Sequence, residues 1–231
     1  TDASSEGGWV HSDHHALWIN PNNTAQMYLG TDGGVYLSQD RGVTWIFLSN
    51  LPVGQFYHVA VDNETPYRIY GGLQDNGSWV APSAVPGGIS NGDWKSIFGG
   101  DGFWTVPDPL HPDYAYAEAQ GGTMARVHLK TFKTLDIKPQ AGKGDGKLRW
   151  NWNTPIVTGA ANKGNLYTGA QYLFKSTDQG RNWERISPDL TTNDPAKQNQ
   201  SSSGGISTDN SGAENHTTIF TIAESPLDEN V

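Results

Sequence analysis

Short apolar runs alternate with clusters of turn-forming residues along the chain. Four of these runs are each followed by a turn rich in Asn, Asp, Pro or Gly, and they span 16–19, 59–61, 103–106 and 155–157. A fifth apolar run, 219–222, comes shortly before the end of the sequence. Runs of this length between turn-forming residues predict β-strands. Because the runs are apolar throughout, we expect them to be inner strands that are buried on both faces.

A tyrosine that follows each turn sets the period of a repeat. Tyr28, Tyr70, Tyr116 and Tyr167 stand 42, 46 and 51 residues apart. A four-stranded propeller blade takes roughly 40–50 residues. The sequence therefore predicts an all-β chain, a β-propeller segment of about four four-stranded blades with the start of a fifth, as part of a larger ring. A β-sandwich also has short strands at regular spacing and is the alternative.

The predicted boundaries follow from this period. The whole chain, 1–231, is expected to be a partial β-propeller, and the blades are expected at 9–50, 51–98, 99–139 and 148–190. A polar loop at 191–215, of a length typical of a functional lid or a mobile connection, precedes an incomplete blade at 216–231. We expect the remaining blades to come from the same protein or from a partner chain, because an open edge exposes unpaired strand groups.

Composition and charge exclude several classes of function. The net charge is −9, and the 15 Lys and Arg residues are scattered, which argues against a nucleic-acid partner. There is no cysteine, so disulfides, thiolate metal sites and cysteine nucleophiles are excluded. No apolar run approaches the roughly 18 residues of a membrane-spanning helix.

Two segments share one pattern of Ser, Asp, Gly and Trp. They are 38–45 and 176–183. The pattern resembles the Asp-box of sialidases, xyloglucanase-type glycosidases and sortilin-type receptors. In such a hairpin, Asp40 and Asp178 are expected to accept backbone hydrogen bonds and to have no catalytic role. Trp45 and Trp183 are expected to pack between sheets.

The wider chain is similar to large secreted bacterial proteins labelled glycosyl hydrolase or sortilin-like. The segments that carry this likeness are 11–18, 71–77, 99–103, 149–155 and 187–191. Members of that group are much longer than this chain. The resemblance implies a secreted, periplasmic or cell-surface location and an internal piece of a longer propeller protein.

Polar and aromatic residues gather just before the apolar runs. If the runs are inner strands, these residues surround one mouth of a central channel, where several blades converge and pockets form. The expected ligand-binding residues are His14, Tyr57, His58, Asp101, Trp152, Asn153 and His216. The ligand is expected to be a glycan, a protein or a peptide.

A divalent metal is the one cofactor that the sequence suggests. His11, Asp13 and His15 share a face if they lie on one strand, because alternate residues of a strand point the same way. Imidazole and carboxylate groups suit zinc or a similar ion. The alternative is that the histidines at this point are half-buried and hydrogen-bonded to neighbouring blades.

Two functional hypotheses follow. The first is a non-catalytic, extracytoplasmic propeller that binds its ligand at the channel face. The second is a glycoside hydrolase acting on a β-glucan-type polysaccharide, which needs two carboxylates about 5–10 Å apart. Asp13, Asp75 and Asp101 are the candidates for such a pair, although Asp75 and Asp101 also stand in segments typical of turns.

Overall fold

The structure is a computed structural model that describes residues 3–5, 8–51, 53–144, 146–198 and 215–231, with side chains described from Val10 onward. The chain divides into two compact units, Thr1–Gly54 and Gln55–Val231. Within the described ranges, no helix has the length and apolar character needed to cross a membrane.

Four antiparallel sheets of four strands make up the structure, and each sheet takes four consecutive strands in chain order. Sheet I consists of β3 (His14–Ile19), β4 (Met27–Thr31), β5 (Gly34–Ser38) and β6 (Ile46–Phe47). Sheet II consists of β7 (His58–Val61), β8 (Arg68–Leu73), β9 (Gly77–Pro82) and β10 (Lys95–Phe98). Sheet III consists of β11 (Gly102–Pro107), β12 (Tyr114–Ala119), β13 (Thr123–His128) and β14 (Thr134–Asp136). Sheet IV consists of β15 (Ile156–Thr158), β16 (Leu166–Gly169), β17 (Leu173–Ser176) and β18 (Glu184–Arg185).

The remaining regular structure is small. A two-stranded antiparallel pair, β1 (Ala3–Ser5) and β2 (Gly8–Val10), precedes sheet I. Single 3₁₀ turns lie at Asn91–Asp93, Gln120–Gly122 and Pro195–Lys197. The predicted fold class, an all-β chain of four-stranded propeller-type sheets, is confirmed.

The unit Gln55–Val231 stacks its three sheets through their first strands. Strand β11 packs against β7 and β8 on one side and against β15 on the other. Gly72 in β8 allows this close approach, because a Cβ atom there would lie 2.4 Å from the backbone nitrogen of Phe103. Two apolar cores fill the spaces between the sheets. One is formed by Tyr70, Val80, Ile97, Ala115, Ala117, Ala125 and Val127. The other is formed by Tyr116, Met124, Ile137, Leu148, Trp150, Ile156, Leu166, Ala170 and Phe174.

The unit Thr1–Gly54 has a smaller core, made by Val10, Leu29 and Tyr36 with Trp45 packed against it. This core draws on β4 and β5, and all six residues of β3 are exposed. The expectation that the apolar run 16–19 is buried on both faces is therefore wrong. In sheet II the same expectation holds on one face only, because Val59 and Val61 are exposed at 61% and 55%.

The last described segment, 215–231, contains no strand. Ile219 donates its backbone N–H to the carbonyl of Ala170 over 2.7 Å, and its side chain lies against Gly169. The incomplete blade expected at 216–231 is therefore not formed as a sheet, because this part of the chain lies along sheet IV without a ladder of strand hydrogen bonds. Most of the polar loop expected at 191–215 lies outside the described residues.

Candidate functional site

Three side chains from three different sheets meet near the beginnings of the first strands. They are His58 at the start of β7, Trp104 in β11 and Asn153 just before β15, and we call them the His58 cluster. The rings of His58 and Trp104 stack with centroids 3.8 Å apart and planes 17° apart. His58 Nε2 lies 3.1 Å from Asn153 Nδ2 and 3.3 Å from Asn153 Oδ1. The cluster therefore joins residues that are 95 positions apart in the sequence.

His58 is held in its neutral form by its surroundings. Burial disfavours the imidazolium and lowers the pKa of His58, and the hydrogen bond with Asn153 opposes this effect in part. In the neutral ring one nitrogen donates and the other accepts. Because the bond with Asn153 raises the His58 pKa, it is one that Nε2–H donates to Asn153 Oδ1, and Nδ1 of the neutral ring is then an acceptor for a bound molecule.

Tyr57 stands next to His58 in the chain and makes an aromatic contact of its own. Its ring meets Phe103 edge to face, with centroids 4.9 Å apart. Its hydroxyl donates to Gln74 Oε1 over 2.7 Å, and the residue is 46% exposed. Tyr57 is therefore a fixed, partly exposed aromatic side chain adjacent in sequence to the cluster.

Asp75 and Asp101 are brought together by the loops before β9 and β11. The backbone N–H of Asp75 donates to Asp101 Oδ1 over 2.8 Å, and the backbone N–H of Asp101 donates to Gln120 Oε1 over 2.7 Å. Asp75 has a φ of 65°, which is typical of a tight turn. Both aspartates therefore have clear roles in shaping these loops.

Trp152 and His216 lie at the side of the site formed by sheet IV and the last described segment. The carbonyl of Trp152 accepts from the N–H of Gly121 over 3.1 Å. Asn215 Nδ2 donates to the carbonyl of Trp150 over 2.7 Å. Trp152 is half-buried, whereas His216 is exposed.

One buried acid beside the cluster is missing from the predicted set. Glu118 in β12 is 0% exposed, and its Oε1 accepts from the N–H of Thr154, the residue after Asn153, over 3.1 Å. Burial raises the pKa of Glu118 well above its usual range, although the N–H groups of Thr154, Gly122 and Trp104 and the charge of Lys138 act in the opposite direction. Burial therefore favours the neutral form of this carboxyl. Only its position in the repeat marks Glu118 in the sequence. It stands two residues after the repeat tyrosine, where the other three repeats have glycine.

The residues at a second repeated position are also missing from the predicted set. Four residues after the repeat tyrosine the chain has Gln74, Gln120 and Gln171. Each side chain accepts a hydrogen bond from the residues that lead into the first strand of its own sheet. The donors are the hydroxyl of Tyr57 and the backbone N–H groups of Asp101 and Arg149, each over 2.7 Å. These glutamines fix the segments from which the site is built.

The structure does not bring His11, Asp13 and His15 together as a metal site. His15 Nε2 pairs with Asp32 instead, and His11 Nδ1 lies 2.9 Å from the carbonyl of Ser12. The strand begins only at His14, and Asp13 has a φ of 60°, so the alternation assumed for residues 11–15 fails. His14, expected to bind ligand, is exposed, and its Nε2 lies 3.0 Å from the carbonyl of His11.

The two Ser-Asp-Gly-Trp hairpins have one geometry. In the first, Asp40 Oδ1 accepts from the N–H of Thr44 over 2.9 Å, and Ser38 Oγ accepts from the N–H of Gly42 over 2.8 Å. In the second, the N–H of Asn182 donates to Asp178 over 2.9 Å, as does the N–H of Gly180 to Ser176. Side-chain hydrogen bonds from the Thr44 hydroxyl and the Asn182 amide, together with the backbone N–H bonds from the same two residues, lower the pKa of Asp40 and Asp178. The carboxylates are thus used within their own turns.

The tryptophans of the two hairpins pack against apolar cores. Trp45 is half-buried against the small core of the first unit. Trp183 is half-buried against the core between sheets III and IV, and its Nε1 donates to the carbonyl of Ile137 over 2.6 Å. Trp183 therefore links its hairpin in sheet IV to the residue that follows β14 in sheet III.

No family model and no curated protein matches the chain. Among solved structures, a GH74 xyloglucanase from Xanthomonas campestris is 16% identical, with a TM-score of 0.43, over 95% of this chain and 34% of its own length. An auxiliary nutrient binding protein from Bacteroides thetaiotaomicron is 12% identical, with a TM-score of 0.42, over 78% of this chain and 43% of its own. YCF48 bound to D1 peptide is 14% identical, with a TM-score of 0.36, over 80% of this chain and 56% of its own. The chain spans only 24%, 34% and 29% of the lengths of three GH74 enzymes that it matches.

Proposed function

We propose that the protein is an extracytoplasmic binding scaffold and that the His58 cluster, with Tyr57 beside it, binds a glycan. The observation that carries this proposal is the convergence of an imidazole, an amide and an indole from three sheets on one point. Binding sites commonly combine aromatic walls with a few polar groups that approach from several elements. A rigid arrangement of this kind lowers the cost of ordering the site when a ligand binds.

The chemistry of the site favours a neutral polar ligand. Tyr57, Trp104 and Trp152 offer aromatic surface, and Asn153 and neutral His58 offer both donors and acceptors. None of these side chains carries a charge when His58 is neutral. Sugar rings, with apolar faces and many hydroxyl groups, fit this combination better than a peptide, whose recognition usually relies on an unpaired strand edge, an apolar groove or charged groups.

A glycoside hydrolase is the second candidate, and the adjacency of Asp75 and Asp101 favours it. The hydrogen bond between them brings two carboxyl-bearing residues to one side of the site. Hydrolysis also requires one of the acids to be protonated and the other to be free to attack or to activate water. Because Asp101 accepts a backbone hydrogen bond as part of its loop, we favour binding over catalysis.

The two hairpins with matching geometry support a place among the Asp-box repeat proteins. Both use a serine hydroxyl and an aspartate to collect the same backbone N–H groups. A secreted, periplasmic or cell-surface location belongs to the same proposal, as does a larger ring completed by further blades.

The test is isothermal titration calorimetry with xyloglucan and cellohexaose, and with casein peptides as the protein-derived probe. We expect the wild-type protein to bind a glucan, and His58→Ala and Asn153→Ala to weaken that binding by about tenfold or more. His128→Ala is the matched control, because His128 also packs on an aromatic ring, that of Tyr114 at 4.8 Å, but lies on β13.

Other results would contradict the proposal. Binding of the peptides alone, or glucan binding that His58→Ala leaves unchanged, would show that the His58 cluster is not a glycan-binding site. Release of reducing sugar that Asp101→Asn abolishes would instead establish the hydrolase.

A further inference from the structure

Glu118 occupies a position that is glycine in the other three repeats. The residues two places after the repeat tyrosines are Gly30, Gly72, Glu118 and Gly169. A charged residue is almost never fully buried unless a partner compensates it, and an unpaired buried carboxyl is costly. A fully buried glutamate at a position where the other repeats have glycine is therefore expected to have a specific role in its surroundings.

Two of the three glycines at this position, Gly72 and Gly169, allow the next part of the chain to lie directly on the sheet. A Cβ atom on Gly72 would lie 2.4 Å from the backbone of Phe103 in β11, and one on Gly169 would lie 2.8 Å from Cβ of Ile219. In sheet III the next part of the chain is the segment that leads into β15. There Glu118 stands at the position of these glycines, and its carboxyl contacts that segment at Thr154.

Glu118 also holds the segment that it faces. Its Oε1 accepts from the N–H of Thr154, whose hydroxyl donates to the carbonyl of Asn151 over 2.7 Å. The N–H of Asn153 in turn donates to Asn151 Oδ1 over 3.0 Å. These bonds form a tight turn at 151–154, and the turn sets the direction of the Asn153 side chain.

We propose that Glu118 is a positioning residue of the ligand site, which holds the segment before β15 so that the amide of Asn153 meets His58. This inference rests on the proposed function for its biological meaning. The positioning role itself does not rest on the proposed function, because the contact between Asn153 and His58 exists without ligand.

The experiment is an NMR titration of the His58 ring in the ligand-free protein. The hydrogen bond that His58 Nε2 donates to Asn153 Oδ1 raises the His58 pKa, so Asn153→Ala should lower the midpoint of that titration. We expect Glu118→Gly to lower the midpoint to the value of Asn153→Ala. Glu118→Gln should keep the wild-type midpoint, because the glutamine oxygen can still accept from Thr154. Val127→Ala, which truncates another fully buried residue of sheet III, is the control for a general loss of stability and should leave the midpoint unchanged.

A wild-type midpoint in Glu118→Gly, or a lowered midpoint in Glu118→Gln, would overturn the inference. If the glycine variant does not fold, Glu118→Ser replaces it, since serine is too short to reach Thr154. Glucan affinity measured on the same variants should fall with Glu118→Gly and recover with Glu118→Gln. If the wild type binds no glucan, the proposed function fails, while the ring titration still decides the role of Glu118.

Discussion

Burial shifts the pKa values of two residues at the candidate site, and it shifts them in opposite directions. Glu118 is fully buried, and the cost of burying its charge raises its pKa. His58 is half-buried, and the same cost lowers its pKa. Burial thus favours the neutral form of both groups. The direction in which each group destabilises the fold follows from the side on which it becomes charged.

Glu118 should make the protein less stable as pH rises. The folded state holds this proton more tightly than the unfolded state, so its contribution is complete below the unfolded pKa of 4.5 and is lost as pH rises toward the raised folded value. Glu118→Gln should therefore gain stability relative to wild type at pH 8 and lose that advantage at pH 4. Urea unfolding at the two pH values measures this. An equal difference at both would show that folding does not raise the pKa of Glu118.

His58 should make the protein less stable as pH falls. Its folded pKa lies below the unfolded value of 6.5, so its contribution is present above pH 6.5 and is lost as pH falls through the folded value. His58→Gln, which cannot become charged, should unfold with a smaller difference between pH 7.5 and pH 5 than wild type. Urea unfolding curves provide the comparison, and identical pH dependence in the two proteins would contradict the assignment.

At the scale of the elements, the first turns of sheets II and III each use a carboxylate to hold the repeat tyrosine. Asp62 Oδ2 and Asp108 Oδ2 each accept from the tyrosine eight residues later, Tyr70 or Tyr116, over 2.9 Å. In sheet IV the residue eight before Tyr167 is Gly159. There the hydroxyl of Tyr167 donates to Glu224 of the last described segment over 2.6 Å. In sheet IV a carboxylate therefore also accepts from the repeat tyrosine, but it belongs to the last described segment instead of the first turn.

Asp108 should be one of the most costly residues of sheet III to remove. It is 4% exposed, and its Oδ2 also accepts from the buried guanidinium of Arg126 over 3.0 Å. Asp108→Ala leaves that cation buried without a partner, and we expect a loss of about 3–5 kcal/mol in the free energy of unfolding. Asp113→Ala, which breaks the exposed pair with Lys130, should cost about 0–1 kcal/mol. Equal losses in the two variants on chemical unfolding would contradict this account.

Glu224 should hold the last described segment on sheet IV. Besides Tyr167, it accepts from the N–H of Ala161 over 2.8 Å. Glu224→Ala should speed hydrogen exchange of the Ile219 amide by about tenfold or more, as the loss of roughly 1.4 kcal/mol of local stability would. Glu64→Ala is the control at an exposed turn of sheet II. Unchanged exchange at Ile219 would show that other contacts hold the segment.

At the scale of the whole molecule, the period of the tyrosines was enough to predict four sheets of four strands. Turn residues and apolar runs act locally, so their spacing appears in the sequence. The burial of the first strands was predicted less well, because whether an apolar strand such as β3 is covered depends on what packs against it. The strand expected at 219–222 is not formed for a related reason, because a strand also needs a neighbour with which to pair.

The site was predicted in part. The expectation that residues before the first strands converge is consistent with the contact between His58 and Asn153, but Trp104 and Glu118 were not foreseen in it. Trp104 lies within an apolar run, where a core role was the natural expectation. Glu118 follows an ordinary strand pattern, and only its alignment with three glycines marks it. The metal hypothesis failed because a residue with positive φ, Asp13, interrupts the alternation it assumed.

The glycan-binding claim is tested most directly by an NMR titration of the protein with cellohexaose. The signals to follow are the ring of His58 and the indole N–H groups of Trp104 and Trp152, with those of Trp45 and Trp79 as internal references. The account predicts that the first three shift together with one dissociation constant while the references stay fixed. Shifts at Trp45 or Trp79 with His58 unchanged, or no shift at any of them, would contradict it.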